Sequence, residues 1–159
     1  SYPSDTTEEE FAHHKAETII RTAEVLTPLG FDVLKAEFPG DPKSTPDPDE
    51  LRKNCERLSR TTKVPWVVLS AGADFNVFQK LVDLACRGGA SGFLAGRAIW
   101  KDAFKETSLE KQLAFVRTQG VRNFRALADL AHQHARPWWD FYGGKEKLRD
   151  HFEGWSVKY

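Results

Sequence analysis

A lysine stands inside a short, β-prone run, Phe31-Asp-Val-Leu-Lys-Ala-Glu-Phe-Pro39. Strand alternation puts Lys35 and Glu37 on one face, with Val33 beside them. An ammonium inside a buried strand is costly unless it is paired, or unless desolvation lowers its pKa. A neutral amine is the form that attacks a ketone to make an imine, so such a setting suits a Schiff-base nucleophile. Two plainer readings stand beside that one: Lys35 paired with Glu37, or Lys35 reaching water at the strand end.

Two further segments carry loops that could hold an anion. Leu69-Ser-Ala-Gly-Ala-Asp74 joins a second apolar run to a helix, and Leu94-Ala-Gly-Arg-Ala98 follows a third. Small residues there let backbone N–H groups approach an anion, and a helix N-terminus favours negative charge. Arg97 adds a guanidinium fork suited to phosphate. Either loop alone is a weak signal and more often just a tight turn. The two in tandem, downstream of a strand lysine, point to phosphate.

Other reactive types give less. His13 and His14 are adjacent, and His132 and His134 lie two apart, so neither pair shares a helix face as metal ligands would. They read as solvated. Glu8 to Glu10 suit a helix N-terminus through the macrodipole. Cys55 and Cys86 sit among apolar residues of separate helices and read as buried free thiols. No CxxC, HExxH, Walker A or GxSxG pattern occurs. No metal or cofactor is expected.

The elements that must position these residues follow from periodicity. Thr7-Glu-Glu-Glu10 reads as a capping box, and Phe11, Ala12, Ala16, Ile19, Ile20, Ala23 and Leu26 recur at helical spacing up to Gly30. A strand is expected over 31–38, a loop over 42–48, and a helix over 49–60 with Leu51, Cys55 and Leu58 inward. Val64 to Leu69 is apolar and β-branched, as a strand buried on both faces should be. A helix over 74–87 puts Phe75, Phe78, Leu81, Val82 and Ala85 on one stripe, and a third strand is expected over 91–96. From Ile99 the pattern is helical, with turns expected near Gly120 and at Gly143-Gly144. This alternation implies an α/β fold with a parallel sheet covered by helices. The first helix has no strand before it, and a complete (β/α)₈ barrel takes about 250 residues. The expectation is therefore one partial domain over 1–159, the C-terminal half of such a barrel.

Composition bounds the function. The 159 residues are 40% apolar and 29% charged, with Lys plus Arg and Asp plus Glu both 23. No basic stripe with interleaved aromatics points to nucleic acid. The longest nearly uncharged stretch, Val64 to Ala73, falls well short of the roughly 20 residues of a membrane span. Ser1 to Asp5 shows neither a basic nor an apolar signal region, so a cytoplasmic location is expected. The segment 137–159 is rich in aromatics: Trp138, Trp139, Phe141, Tyr142, Phe152, Trp155 and Tyr159. Such a tail suits a cap over the barrel or a subunit contact.

Together, Leu29-Gly-Phe-Asp-Val-Leu-Lys-Ala-Glu-Phe-Pro39, Pro65-Trp-Val-Val-Leu-Ser-Ala-Gly72 and Gly92-Phe-Leu-Ala-Gly-Arg-Ala-Ile-Trp100 resemble the tagatose 1,6-bisphosphate aldolase family in order and spacing. The likeness extends to about Gly120. It implies that Lys35 is the imine-forming lysine of the sixth barrel strand. Ser70, Gly72, Gly96 and Arg97 would be phosphate contacts at the ends of the seventh and eighth strands, with Glu37 biasing the charge of Lys35. The activity implied is metal-free cleavage of a ketose bisphosphate to dihydroxyacetone phosphate and glyceraldehyde 3-phosphate. Sulfonated and deoxy-keto relatives of that substrate remain open. The family's proton-transferring glutamate would lie just upstream of the segment resembling Ser1-Tyr2-Pro3, so the chain by itself is expected to be inactive. The missing half, or another subunit, would cover the open barrel edge. The alternatives are a non-catalytic sugar-phosphate-binding or regulatory module, and a structural half-barrel that pairs with its own copy.

Overall fold

The computed structural model describes residues 6–147, so Ser1-Tyr2-Pro3 and the tail aromatics Phe152, Trp155 and Tyr159 lie outside the described residues. The capping box opens helix α1 (Glu8–Leu26): Thr7 Oγ1 accepts the Glu10 amide at 3.2 Å, and Glu10 Oε2 accepts the Thr7 amide at 2.9 Å. Strand β1 (Leu34–Ala36) follows, then helix α2 (Pro48–Thr62), started by Asp47 as N-cap and Pro48 in its first turn. Strand β2 (Trp66–Leu69), helix α3 (Phe75–Arg87) and strand β3 (Gly92–Leu94) complete two β-α-β units. A one-turn helix α4 (Arg97–Trp100) leads through a 3₁₀ segment into α5 (Leu109–Phe115) and α6 (Val121–His134).

The three strands form a parallel sheet in the order β1-β2-β3, with Lys35 opposite Val67 and Val67 opposite Gly92. They occupy the expected places but are shorter. Leu34 donates its amide to the carbonyl of Pro65 at 2.9 Å, and Pro65 has no N–H to return, so the ladder begins only there.

One face of the sheet carries Ala36, Phe38, Trp66 and Val68 into the core. Helix α2 meets it with Leu51, Cys55 and Leu58, and α3 with Phe78, Val82 and Ala85. Alternation sends Val33, Lys35, Val67 and Leu94 to the other face. That face is open: Val33 is 49% exposed, Leu94 47%, and Lys35 is exposed as well.

The turn expected near Gly120 does not form. Gly120 keeps helical angles (φ −58°, ψ −43°), and the chain passes through a wide π-turn, Val116–Gly120, from α5 into α6. A helical glycine costs about 1 kcal/mol relative to alanine. Burial of Leu127 and the hydrogen bond from buried Asn123 Nδ2 to the Ile99 carbonyl, 3.2 Å, outweigh it. Glycine as punctuation lost to tertiary packing.

The described part of the aromatic tail crosses the N-terminal ends of the strands. The Arg136 amide donates to Ala90 O at 3.0 Å, just before β3, and the Tyr142 hydroxyl donates to Asp32 O, just before β1. Trp138 stacks edge-on against Trp139 and Tyr142. This segment therefore caps the end of the sheet opposite the loops that follow β2 and β3. No helix among the described residues is long and apolar enough to cross a membrane.

Candidate functional site

The loops after β2 and β3 meet at the C-terminal end of the sheet, the end at which parallel α/β sheets present their ligand sites. The Ser70 amide donates to Leu94 O at 3.2 Å, tying the start of one loop to the start of the other. Between Ser70 and Asp74 the backbone turns through two successive positive-φ residues, Ala71 at 47° and Gly72 at 80°. Glycine takes that conformation freely, while alanine there is strained by roughly 1–2 kcal/mol. Strain of this kind, held by its surroundings, concentrates at ligand sites. The Ala73 amide closes the turn onto Ser70 O at 2.9 Å.

Arg97 opens α4 and folds back over this turn. Its guanidinium lies so near Gly72 that a Cβ there would meet Cζ and Nη2 at 3.4 Å. Both Arg97 and Gly96 are exposed, so the guanidinium can reach a ligand in solvent. Because α4 is a single turn, its backbone dipole adds little, and the positive charge at this point is essentially that of Arg97. Ser70, Gly72, Gly96 and Arg97 are thus neighbours in space.

Lys101 belongs to the same cluster. Its Nζ donates to Gly72 O at 3.0 Å and lies 2.5 Å from Asp74 Oδ1. The hydrogen bond from Lys101, and then its charge, hold the Asp74 carboxyl below the usual carboxylate range. Neither Lys101 nor Asp74 was singled out from the sequence. The available signal was helical spacing: Lys101 follows Arg97 by four residues, which places both on one side of the turn.

Lys35 lies on the open face of the sheet, in register with Val67 and three residues short of Ser70. The desolvation expected from the sequence is not found, because nothing among the described residues covers this face and Lys35 is exposed. Nor does Glu37 pair with it. Glu37 Oε2 is 3.2 Å from Lys15 Nζ of α1, so its charge is taken up by the neighbouring helix. Lys15, Lys35, Glu37 and Ala71 all line a groove of about 690 Å³ that runs between α1 and the free edge of β1.

Two side groups are settled by packing. Cys55 and Cys86 are buried free thiols, and desolvation pushes both upward, Cys86 to about 12, which leaves them protonated and unreactive at neutral pH. His134, expected in solvent, instead sets Nε2 2.7 Å from Arg87 Nη2 and 3.7 Å from Asp83 Oδ1, because α6 packs along α3.

Comparison with known proteins identifies the family. The model of the DeoC/LacD family aldolases matches residues 1–102. Tagatose 1,6-diphosphate aldolase of Listeria monocytogenes serotype 4a (strain HCC23) is 33% identical, over 75% of this chain and 39% of its own length. The protein of the same name from Listeria innocua gives the same values. Tagatose 1,6-diphosphate aldolase 2 of Streptococcus pyogenes serotype M1 is 28% identical, over 85% of this chain and 46% of its own length. The chain therefore spans less than half the length of these relatives, and the matched region contains Lys35, both loops and Lys101. The chain belongs to the DeoC/LacD aldolase family.

Proposed function

We propose that the full-length protein is a class I aldolase. Its substrate is a ketose bisphosphate such as tagatose 1,6-bisphosphate, and its products are dihydroxyacetone phosphate and glyceraldehyde 3-phosphate. The observation that carries this reading is Lys35 on the open sheet face, beside the loops where Arg97 lies over Gly72. The Lys35 amine attacks the ketone carbon and water leaves, giving a protonated imine. That iminium accepts the electron pair of the bond between its α and β carbons as it breaks, while the hydroxyl on the β carbon gives its proton to a base and glyceraldehyde 3-phosphate leaves. The resulting enamine is protonated on carbon, and hydrolysis returns the amine and releases dihydroxyacetone phosphate. Arg97, the Ser70 hydroxyl and the backbone at Gly72 and Gly96 hold a phosphate so that the ketone lies near the amine, which supplies proximity. The electron sink is the iminium, so no metal is assigned. The general acid/base corresponds to no residue of this chain, and the chain alone is therefore inactive in this reading.

The same reading takes the sheet as strands six to eight of a (β/α)₈ barrel. Parallel sheets are normally covered on both faces, and the described residues leave one face and the β1 edge open. Closure by the remaining strands would enclose Lys35 and the loops beside it in one cavity. An open edge of this kind invites pairing with another chain. Residues 1–159 expressed alone are accordingly expected to sediment as a dimer or larger species. A stable monomer of 18.0 kDa would contradict the half-barrel assignment.

The sugar-phosphate-binding alternative keeps Arg97 and Gly72 but drops the imine, and the exposure of Lys35 in this chain is the observation on its side. Kinetics of Arg97→Ala in the full-length protein test the proposed roles. A charged hydrogen bond is worth about 1.5–3 kcal/mol, so KM for the bisphosphate should rise roughly ten- to a hundredfold. Imine formation with unphosphorylated dihydroxyacetone should be unchanged. Equal losses for both ligands would remove Arg97 from the phosphate site.

A further inference from the structure

We propose that Lys101 is a positioning residue for the phosphate loop, holding the Gly72 peptide in place through its carbonyl while the Arg97 guanidinium lies against Gly72. The inference rests on the reading of Gly72 and Arg97 as phosphate contacts and adds a residue to it.

The Gly72–Ala73 peptide is fixed at both ends. Its carbonyl accepts from Lys101 Nζ at 3.0 Å, and its N–H donates to Ser70 O at 2.9 Å. With that peptide locked, the preceding one is oriented too, and its N–H, on Gly72, has no acceptor among the described residues. A phosphate oxygen could supply one. The left-handed angles at Ala71 and Gly72 need such external support, since alanine does not hold φ of 47° by preference. Asp74, 2.5 Å from Lys101 Nζ, completes the clamp and largely neutralises the ammonium. Lys101 therefore acts on the loop's shape and adds little to the net field at the anion. Its side chain is only 32% exposed, consistent with a tether between two segments and not with a free surface cation.

The test uses the full-length protein and inorganic phosphate as the probe, by direct calorimetric titration and as a competitive inhibitor of cleavage. Lys101→Met should weaken phosphate about tenfold, the value of one charged hydrogen bond. It should raise KM for the bisphosphate by a similar factor and leave kcat within about twofold. Lys101→Arg, which can still reach both oxygens, should recover most of the affinity. Asp74→Asn separates positioning from simple charge attraction. Loosening the clamp should weaken phosphate about two- to threefold, even though the substitution removes a negative charge nearby. Tighter phosphate binding in Asp74→Asn, or unchanged affinity in Lys101→Met with an unchanged melting temperature, would overturn the proposal. Phosphate titration does not depend on turnover. An effect of Lys101→Met in a protein that forms no Lys35 adduct would thus reject the aldolase reading while keeping this one, and the converse result would do the opposite.

Discussion

Lys35→Arg in the full-length protein is expected to lower kcat/KM for ketose bisphosphate cleavage by about four orders of magnitude or more, to the level of the remaining binding and electrostatic contributions. A guanidinium has the length and charge to sit where the ammonium sits, but it stays protonated and cannot become an imine. Phosphate affinity should change little, because the anchors are on the neighbouring loops. Measurement of kcat/KM beside phosphate titration checks both halves of the statement. A residual rate within a hundredfold of the parent would mean that another group carries the electron sink.

The largest stability effect is expected at Trp66. Its ring is fully buried under α2 and α3, and its Nε1 donates to Ser59 Oγ at 2.8 Å, while Ser59 Oγ donates to Gly88 O at 2.6 Å. Trp66→Ala removes the largest buried side chain of β2 and leaves a cavity between sheet and helices. The expected cost is about 3–5 kcal/mol, read as a lower urea midpoint at unchanged slope. Trp66→Phe keeps most of the volume, lets Ser59 retain its bond to Gly88, and should cost about 1–2 kcal/mol. A loss below 1 kcal/mol for Trp66→Ala would show that this sheet face is not the core. Because β2 leads directly into Ser70, the same variant should also loosen the phosphate loop.

What could be read from the sequence was what short-range chemistry decides. The Thr7–Glu10 box forms because its two hydrogen bonds are local, and α2 and α3 bury the stripes that their apolar spacing marks. The strands were legible from β-branched and aromatic runs bounded by proline and glycine. Their true length was not, because it depends on Pro65, whose carbonyl takes the Leu34 amide but which has no N–H to extend the ladder. Gly120 misled for the opposite reason: a local breaker was overruled by burial of α6 against the rest of the core.

The site followed the same division. Ser70, Gly72, Gly96 and Arg97 were legible because strand-to-helix loops of small residues have a local signature, and the resemblance then gave them an order. The partner of Glu37 was hidden, since the docking of α1 brings Lys15 to it across 22 residues of sequence. Lys101 was hidden in the same way, 29 positions along the chain from Gly72. The burial assumed for Lys35 belongs to a covered sheet, and the described residues leave that face uncovered.

Borohydride reduction of the full-length protein in the presence of dihydroxyacetone phosphate, followed by mass-spectrometric peptide mapping, reports directly on an imine at Lys35. One reduced adduct is expected, on Lys35, formed equally well with EDTA present and absent in Lys35→Arg. An adduct on a different lysine, or chelator-sensitive cleavage with no adduct at all, would contradict the imine assignment.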